Sequence, residues 1–170
     1  GKCTKVCPQA AMTMVDGRAH LNPEHCVGCG DCMRSCPTGA IEFDWATDIQ
    51  PFIERLCEYA LGAVIGRTER IGYINFLLNI TPYCDCVPWS DAPIVPDVGI
   101  LASTDPVAID HASLDLVNSQ RGFTQTALKR NFAPGKDKFK GIWNYTDPNY
   151  QITYAAEIGL GDASYRLIEI

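Results

Sequence analysis

The chain has 170 residues and a mass of 18.7 kDa, enough for one ordinary domain or one domain plus a small module. Hydrophobic residues make up 46% and charged residues 20%, with a mean hydropathy of −0.04, so a core can form and a disordered chain is excluded. The net charge of −6 and a pI near 4.9 argue against a nucleic-acid partner, because phosphate contacts need clustered Lys and Arg. No run of about 18 apolar residues is present to span a membrane.

The unusual count is nine cysteines, six of them within the first 36 residues. The chain opens Gly1-Lys-Cys3 with no initiator Met and no signal peptide, so it reads as a fragment or a processed chain with sequence expected upstream. Cys3-Thr-Lys-Val-Cys7-Pro8 comes first. Met12–Val15 is then expected as a strand, Asp16-Gly17 as a two-residue turn and Arg18–Leu21 as the return strand of a hairpin.

The decisive run follows: Cys26-Val-Gly-Cys29-Gly-Asp-Cys32-Met-Arg-Ser-Cys36-Pro37, which is C-x2-C-x2-C-x3-C-P. Three thiolates at three-residue steps in a tight loop reach three corners of one four-iron cubane. Gly28 and Gly30 let the backbone curl, since glycine tolerates positive φ. Pro37 turns the chain away after the fourth cysteine. The end of this run has a copy upstream at an offset of 29 residues: Cys3, Cys7, Pro8 and Ala11 align with Cys32, Cys36, Pro37 and Ala40. The first copy therefore starts halfway through its motif. Ile41-Glu-Phe43 is expected as the second copy's strand.

Two Cys loops with a small sheet resemble the bacterial two-cluster ferredoxin fold over residues 1–46. In such ferredoxins the fourth Cys of each run ligates the other cluster. The resemblance then implies one complete [4Fe-4S] set, Cys7, Cys26, Cys29 and Cys32. It also implies a partial second set, Cys3 and Cys36, whose other two ligands would lie upstream. A structural zinc site also uses C-x2-C pairs, but four cysteines at this spacing before Pro, and repeated, fit a cluster better. The spacing and the odd count disfavour disulfides. His20 and His25 are expected on the solvent face.

Beyond the cysteine runs, Thr47 or Asp48 is expected to cap an amphipathic helix with Ile49, Phe52, Ile53, Leu56, Ala60, Ala63 and Val64 on one face and Gly66 as terminator. Cys57 is expected as a buried small hydrophobe. Ile71–Ile80 reads as a mostly buried strand and Val98–Ala102 as a second. Asp105-Pro106 starts a helix with Ile109, Ala112, Leu114 and Leu116 inward. Residues 119–150 have weak periodicity. Gln151–Ile158 is expected as a helix closed by Gly159 and Leu160, and Ser164–Ile170 as a last strand. Strand, loop, strand, helix suggests an α/β unit.

The loop from Thr81 to Asp97 holds Cys84-Asp-Cys86, two soft ligands on one turn at the end of a strand. Asp85, Asp91, Asp97, Asp105, Asp110 and His111 are close in sequence and are candidates with it for a metal or acid–base site. The plainer alternative has Asp105 as a helix cap, Asp91 as a turn former, His111 as a satisfied helix histidine and both cysteines packed. Asn75 and Asn79 are expected to support this loop, since buried amides need partners.

Tyr73-Ile-Asn-Phe, Ile80-Thr-Pro-Tyr-Cys-Asp-Cys86, Ala92–Ala102, Asp105–Asp110, Gly135–Lys140 and Tyr154–Gly161 are similar to a prokaryotic iron–sulfur centre family, domain of unknown function family 362. That resemblance implies a ferredoxin module inserted in a larger domain whose first half lies upstream. The expected fold is α+β: a small ferredoxin-like cluster module over 1–46 followed by part of an α/β domain over 47–170.

The leading expectation is a cytoplasmic [4Fe-4S] protein that moves single electrons and docks, through its acidic surface, on a basic patch of a redox partner protein. One alternative is a redox enzyme in which the module feeds a metal or substrate site near Cys84 and Cys86. Another is a structural or sensory cluster that never cycles.

Overall fold

The Asp16-Gly17 dipeptide turns the chain back on itself in the computed structural model, which describes residues 1–42, 49–83 and 90–170. Both residues take positive φ, 49° and 76°, the geometry that suits a two-residue hairpin loop. It joins β1 (Met12–Val15) to β2 (Arg18–Leu21), antiparallel with Met12 opposite Leu21. Short helices flank this hairpin in the sequence, α1 (Lys2–Val6) and α2 (Asp31–Arg34). They fall at the 29-residue offset of the sequence repeat and pack on each other. The repeat does not extend to the strand expected over 41–43: Ile41 and Glu42 are not in a strand, and Phe43 lies outside the described residues.

The chain divides into two compact units, Gly1–Trp45 and Ala46–Ile170. The second is built on three longer helices, α3 (Ile49–Val64), α4 (Pro106–Ser119) and α6 (Pro148–Glu157), with the short α5 (Lys138–Ile142) before α6. Its two-stranded sheet pairs β3 (Tyr73–Leu77) antiparallel with β4 (Gly99–Ser103), Asn75 opposite Leu101. The molecule thus mixes helices with small antiparallel sheets, an α+β fold. The expected helix caps Thr47 and Asp48 lie outside the described residues.

Two apolar clusters hold the second unit. One gathers Ile53 and Cys57 of α3, Val107 and Leu114 of α4, and Ile152, Ala155 and Leu160 of the α6 region. The other joins Leu77, Ile94, Val95, Val117 and Leu128. The face that α3 buries is rotated from the one its periodicity predicts. Ile53 and Cys57 are buried, whereas Phe52, Leu56 and Ala63 are exposed. Helix α6, packed along α3, decides which residues are covered. Likewise β3 is covered on one face only: Leu77 is buried and Ile74 and Phe76 are exposed, because α4 packs on the other side of a two-stranded sheet.

Polar side chains close the ends. Asp105 Oδ1 accepts from Val107 N at 2.8 Å and Ala108 N at 2.9 Å, capping α4, with Pro106 at the first position. Its Oδ2 accepts from Asp162 N at 2.8 Å, so one carboxylate also fastens the chain after α6. The same Asp-Pro signal occurs at Asp147-Pro148, and α6 begins there, three residues before the expected start. It ends as expected: Leu160 N donates to Ala155 O and Gly159 N to Ala156 O, both at 3.0 Å, with Leu160 buried.

The strand expected over 164–170 does not form. His111 Nδ1 sits 2.6 Å from Ala163 O and Tyr165 donates to Asp115 Oδ2 at 2.7 Å, so the segment's start runs along α4. Beyond it, residues 166–170 pair with no strand among the described residues.

Lys138 is the one buried charged residue among those described, fully enclosed. Its Nζ donates to Asn118 O at 3.0 Å, Ala133 O at 2.9 Å and Lys136 O at 2.8 Å, using all three N–H bonds. Burial pushes its pKa down and neighbouring Asp137 partly offsets this. Tyrosines link α6 to α3: Tyr150 donates to Glu54, and Tyr154 donates to Glu58 at 3.0 Å.

Lys138→Met keeps the side chain's length but removes three hydrogen bonds, and although Asn118 O and Ala133 O keep their backbone donors Gly135 N and Lys136 N, Lys136 O loses its Lys138 partner. A loss of about 1–3 kcal/mol, or roughly 2–12 °C in thermal midpoint, is expected by calorimetry. The Glu54 hydrogen bond, aided by burial, pushes Tyr150 from its ordinary 10.0 up to about 12. Because the folded value is raised, this contribution to stability is fully present below the ordinary value and is lost as pH rises through about 12. Glu54→Gln is therefore expected to shift one tyrosine to earlier ionisation in an alkaline absorbance titration.

Candidate metal centre

Unit Gly1–Trp45 contains a cavity of about 30 Å³. Cys7, Cys26, Cys29 and Cys32 line it, with Ala11, Met12, Leu21 and Val27 as apolar wall. Two of the four thiols, Cys26 and Cys29, come from one loop, and Cys32 from the helix that follows it. Gly28 and Gly30 turn that loop with φ of 71° and 74°, a conformation that costs a side-chain-bearing residue about 1–2 kcal/mol. The fourth thiol follows α1, which packs on α2, the helix carrying Cys32. Cys26 and Cys29 are exposed and Cys7 and Cys32 half-buried, so the cavity opens toward solvent on the loop side.

Cys3 and Cys36 do not line this cavity. Cys3 is buried on α1, and Cys36 is half-buried just after α2. Cys36 shares a local motif with Cys7. Ala11 N donates to Cys7 Sγ at 3.2 Å, and Ala40 N donates to Cys36 Sγ at 3.3 Å, again offset by 29 residues. At Cys7, burial raises the thiol pKa, but the backbone N–H groups of residues 9 to 12 together outweigh it and leave the thiol below its ordinary value. At Cys36 the Thr38 hydroxyl leads, followed by the backbone of Thr38 and Ala40, and the thiol falls to about 7. Both turns favour thiolate, the form that ligates metals. In the sequence Ala11 stands out only as a repeat match and Met12 only as a strand residue, and nothing marks Gln9, Ala10 or Thr38 as partners of a thiol. Their position just after each Cys-Pro, at the repeat offset, is the signal that locates them.

The repeat also exposes a mismatch. Gly39 has φ of 62°, and its counterpart Ala10 has φ of 50° without being glycine.

The acids near Cys84 and Cys86 have separate duties. Asp91 Oδ1 accepts from Ala92 N, Asp97 Oδ1 from Asn79 N, and Asp105 caps α4. Asn75 does not serve the loop as expected. Its Nδ2 donates to Asp110 Oδ1 and Ser113 Oγ on α4, both at 3.0 Å. His111 is satisfied by Ala163 O. Cys84, Asp85 and Cys86 lie outside the described residues. Among the described residues, no three His, Cys, Asp or Glu side chains come together closely enough to hold one metal ion. All seven described cysteines are free thiols, and no described helix is long and apolar enough to cross a membrane. Cys57 is buried as expected, its pKa raised by desolvation, and its thiol faces Gln151 O at 3.8 Å.

Short stretches of the chain are similar to iron–sulfur redox proteins. It is 49% identical over 39 residues to an uncharacterized ferredoxin of Methanocaldococcus jannaschii, which is 23% of this chain and 24% of that protein. It is 54% identical over 41 residues to formate hydrogenlyase subunit 2 of Escherichia coli, 24% of this chain and 20% of that one. With the electron transport protein HydN of Escherichia coli it shares 42% identity over 40 residues, 24% of this chain and 23% of the relative. The chain thus spans a quarter or less of the length of these curated relatives. No solved structure matches it. Residues 9–115, more than half of the chain, match the domain of unknown function DUF362. The chain belongs to that family.

Ala10→Gly removes the left-handed strain, about 1–2 kcal/mol, and adds unfolded-chain entropy of about 0.5–1 kcal/mol. A small net stabilisation is expected, read as a higher urea midpoint with unchanged slope.

Proposed function

We propose that this chain holds a [4Fe-4S] cluster on Cys7, Cys26, Cys29 and Cys32 and serves in single-electron transfer. The single observation that carries this reading is that these four thiols, and not Cys3 or Cys36, line one cavity. The donor chemistry suits a cluster: four soft sulfurs and no carboxylate line a wall that also carries Gln9, and because no three of these ligands stand at metal-holding distance, a bound cluster would have to draw the sulfurs together. The bound cluster would supply a one-electron redox couple whose potential depends on hydrogen bonds to its sulfurs. The protein's part is to hold thiolates, to aim N–H groups at them, as Ala11 does at Cys7, and to cover one side with Met12 and Leu21. Cys3 and Cys36 would serve a second cluster if two further ligands are supplied.

Relatives named as a ferredoxin, an electron transport protein and a formate hydrogenlyase subunit support a redox role among protein partners. The net charge of −6 favours a partner with a basic patch. Free thiols suit a reducing compartment such as the cytoplasm.

The test is anaerobic purification, iron and acid-labile sulfide analysis, and electron paramagnetic resonance before and after dithionite. About four irons per chain and a reducible cubane signal are expected, lost in Cys29→Ser and kept in the Cys84→Ser/Cys86→Ser double variant. Zinc without iron or sulfide, after failed anaerobic reconstitution, would overturn the reading. A cluster that cannot be reversibly reduced would leave it structural rather than electron-carrying.

A further inference from the structure

The unit Ala46–Ile170 encloses a cleft of about 480 Å³ between α3, α4, α6 and the end of β3. That volume is typical of small-molecule sites, about 300–1,000 Å³. Its wall is mostly apolar, with Ile53, Leu77, Leu114, Val117 and Ile152 prominent. The charged groups on the wall among the described residues are two carboxylates, Asp110 and Asp147. Asp147 is already engaged: its Oδ1 accepts from Tyr150 N and lies 3.5 Å from Lys140 Nζ.

Asp110 differs. Its Oδ1 accepts from Asn75 Nδ2, whose second hydrogen goes to Ser113 Oγ, and Ser113 in turn donates to Ile109 O at 2.7 Å. The carboxylate is thereby oriented by a saturated neutral network. Asp110 is exposed, and none of the described residues donates to its Oδ2, so that oxygen is left to solvent at the edge of the cleft. A positive head placed there would gain a charge-assisted bond.

We propose that this cleft binds a small organic cation, its ammonium on Asp110 Oδ2 and its apolar body between Ile53, Leu77, Leu114 and Ile152. An anion of the same size would meet a like charge. A neutral apolar ligand would desolvate that carboxylate without replacing its water. The proposal uses no cysteine and stands apart from the proposed electron transfer.

The full chain, purified anaerobically, is titrated by calorimetry with 2-phenylethylamine as probe and 2-phenylethanol as its neutral counterpart. Saturable one-to-one binding of the amine is expected, with the alcohol at least tenfold weaker. Asp110→Asn, which preserves shape and the Asn75 contact, is expected to weaken the amine at least tenfold, or about 1.4 kcal/mol. Gln151→Trp, filling the cleft from α6, is expected to abolish binding. Absence of saturable binding at millimolar amine overturns the proposal. So does equal affinity for the alcohol, or an Asp110→Asn variant that binds like the parent chain. The alcohol comparison needs no substitution, so it decides the matter even if a variant fails to fold.

Discussion

One small cavity within residues 1–42 draws its four thiols, Cys7, Cys26, Cys29 and Cys32, from two distant stretches of chain. Between Cys26 and Cys32 the backbone takes left-handed φ at Gly28 and Gly30, which glycine adopts without steric cost. The fourth thiol comes from a segment far upstream, which requires α1 to lie against α2. Negative charge on thiolates also needs an answer. At Cys7 that answer is a turn of backbone N–H groups, and at Cys36 the Thr38 hydroxyl with backbone N–H groups behind it, rather than a lysine or arginine. Backbone dipoles are rigidly placed and lose no side-chain entropy.

The second unit depends instead on a few polar side chains with several partners each. Asp105 caps a helix and ties down the chain at Asp162. Lys138 ties Asn118 O at the end of α4 to Ala133 O and Lys136 O of the following loop. Asn75 joins β3 to α4 through Asp110 and Ser113. Such residues matter because residues 120–137 hold no helix or strand, so few of their backbone groups find partners in regular structure.

A DUF362 chain with a ferredoxin-like stretch thus presents two chemically different places. One is a wall of soft sulfur donors, suited to the proposed cluster. The other is an apolar cleft with the exposed carboxylate of Asp110 at its edge, suited to the proposed organic cation. They use different residues and separate chemistry.

Local signals were legible wherever a few adjacent residues settle the conformation. The Asp16-Gly17 hairpin, the glycine turns of the cysteine loop, the Asp105 cap and the end of α6 at Leu160 all follow from short-range sterics and hydrogen bonding. The cysteine spacing, together with the resemblance to two-cluster ferredoxins, pointed to Cys7, Cys26, Cys29 and Cys32, the four that line one cavity. What the sequence left open was every choice between equivalent faces and partners. Periodicity placed an apolar stripe on α3 but not which edge of it α6 covers. Alternation suggested a last strand, yet no sheet edge pairs with 164–170 among the described residues. Nothing local announced that Lys138 is buried or that Asp110 borders a cleft. The sequence by itself determined the turns, caps and thiol spacing, because each involves neighbours along the chain. Only the tertiary structure decided burial, pairing and the cleft, because those depend on which distant residues arrive to exclude water.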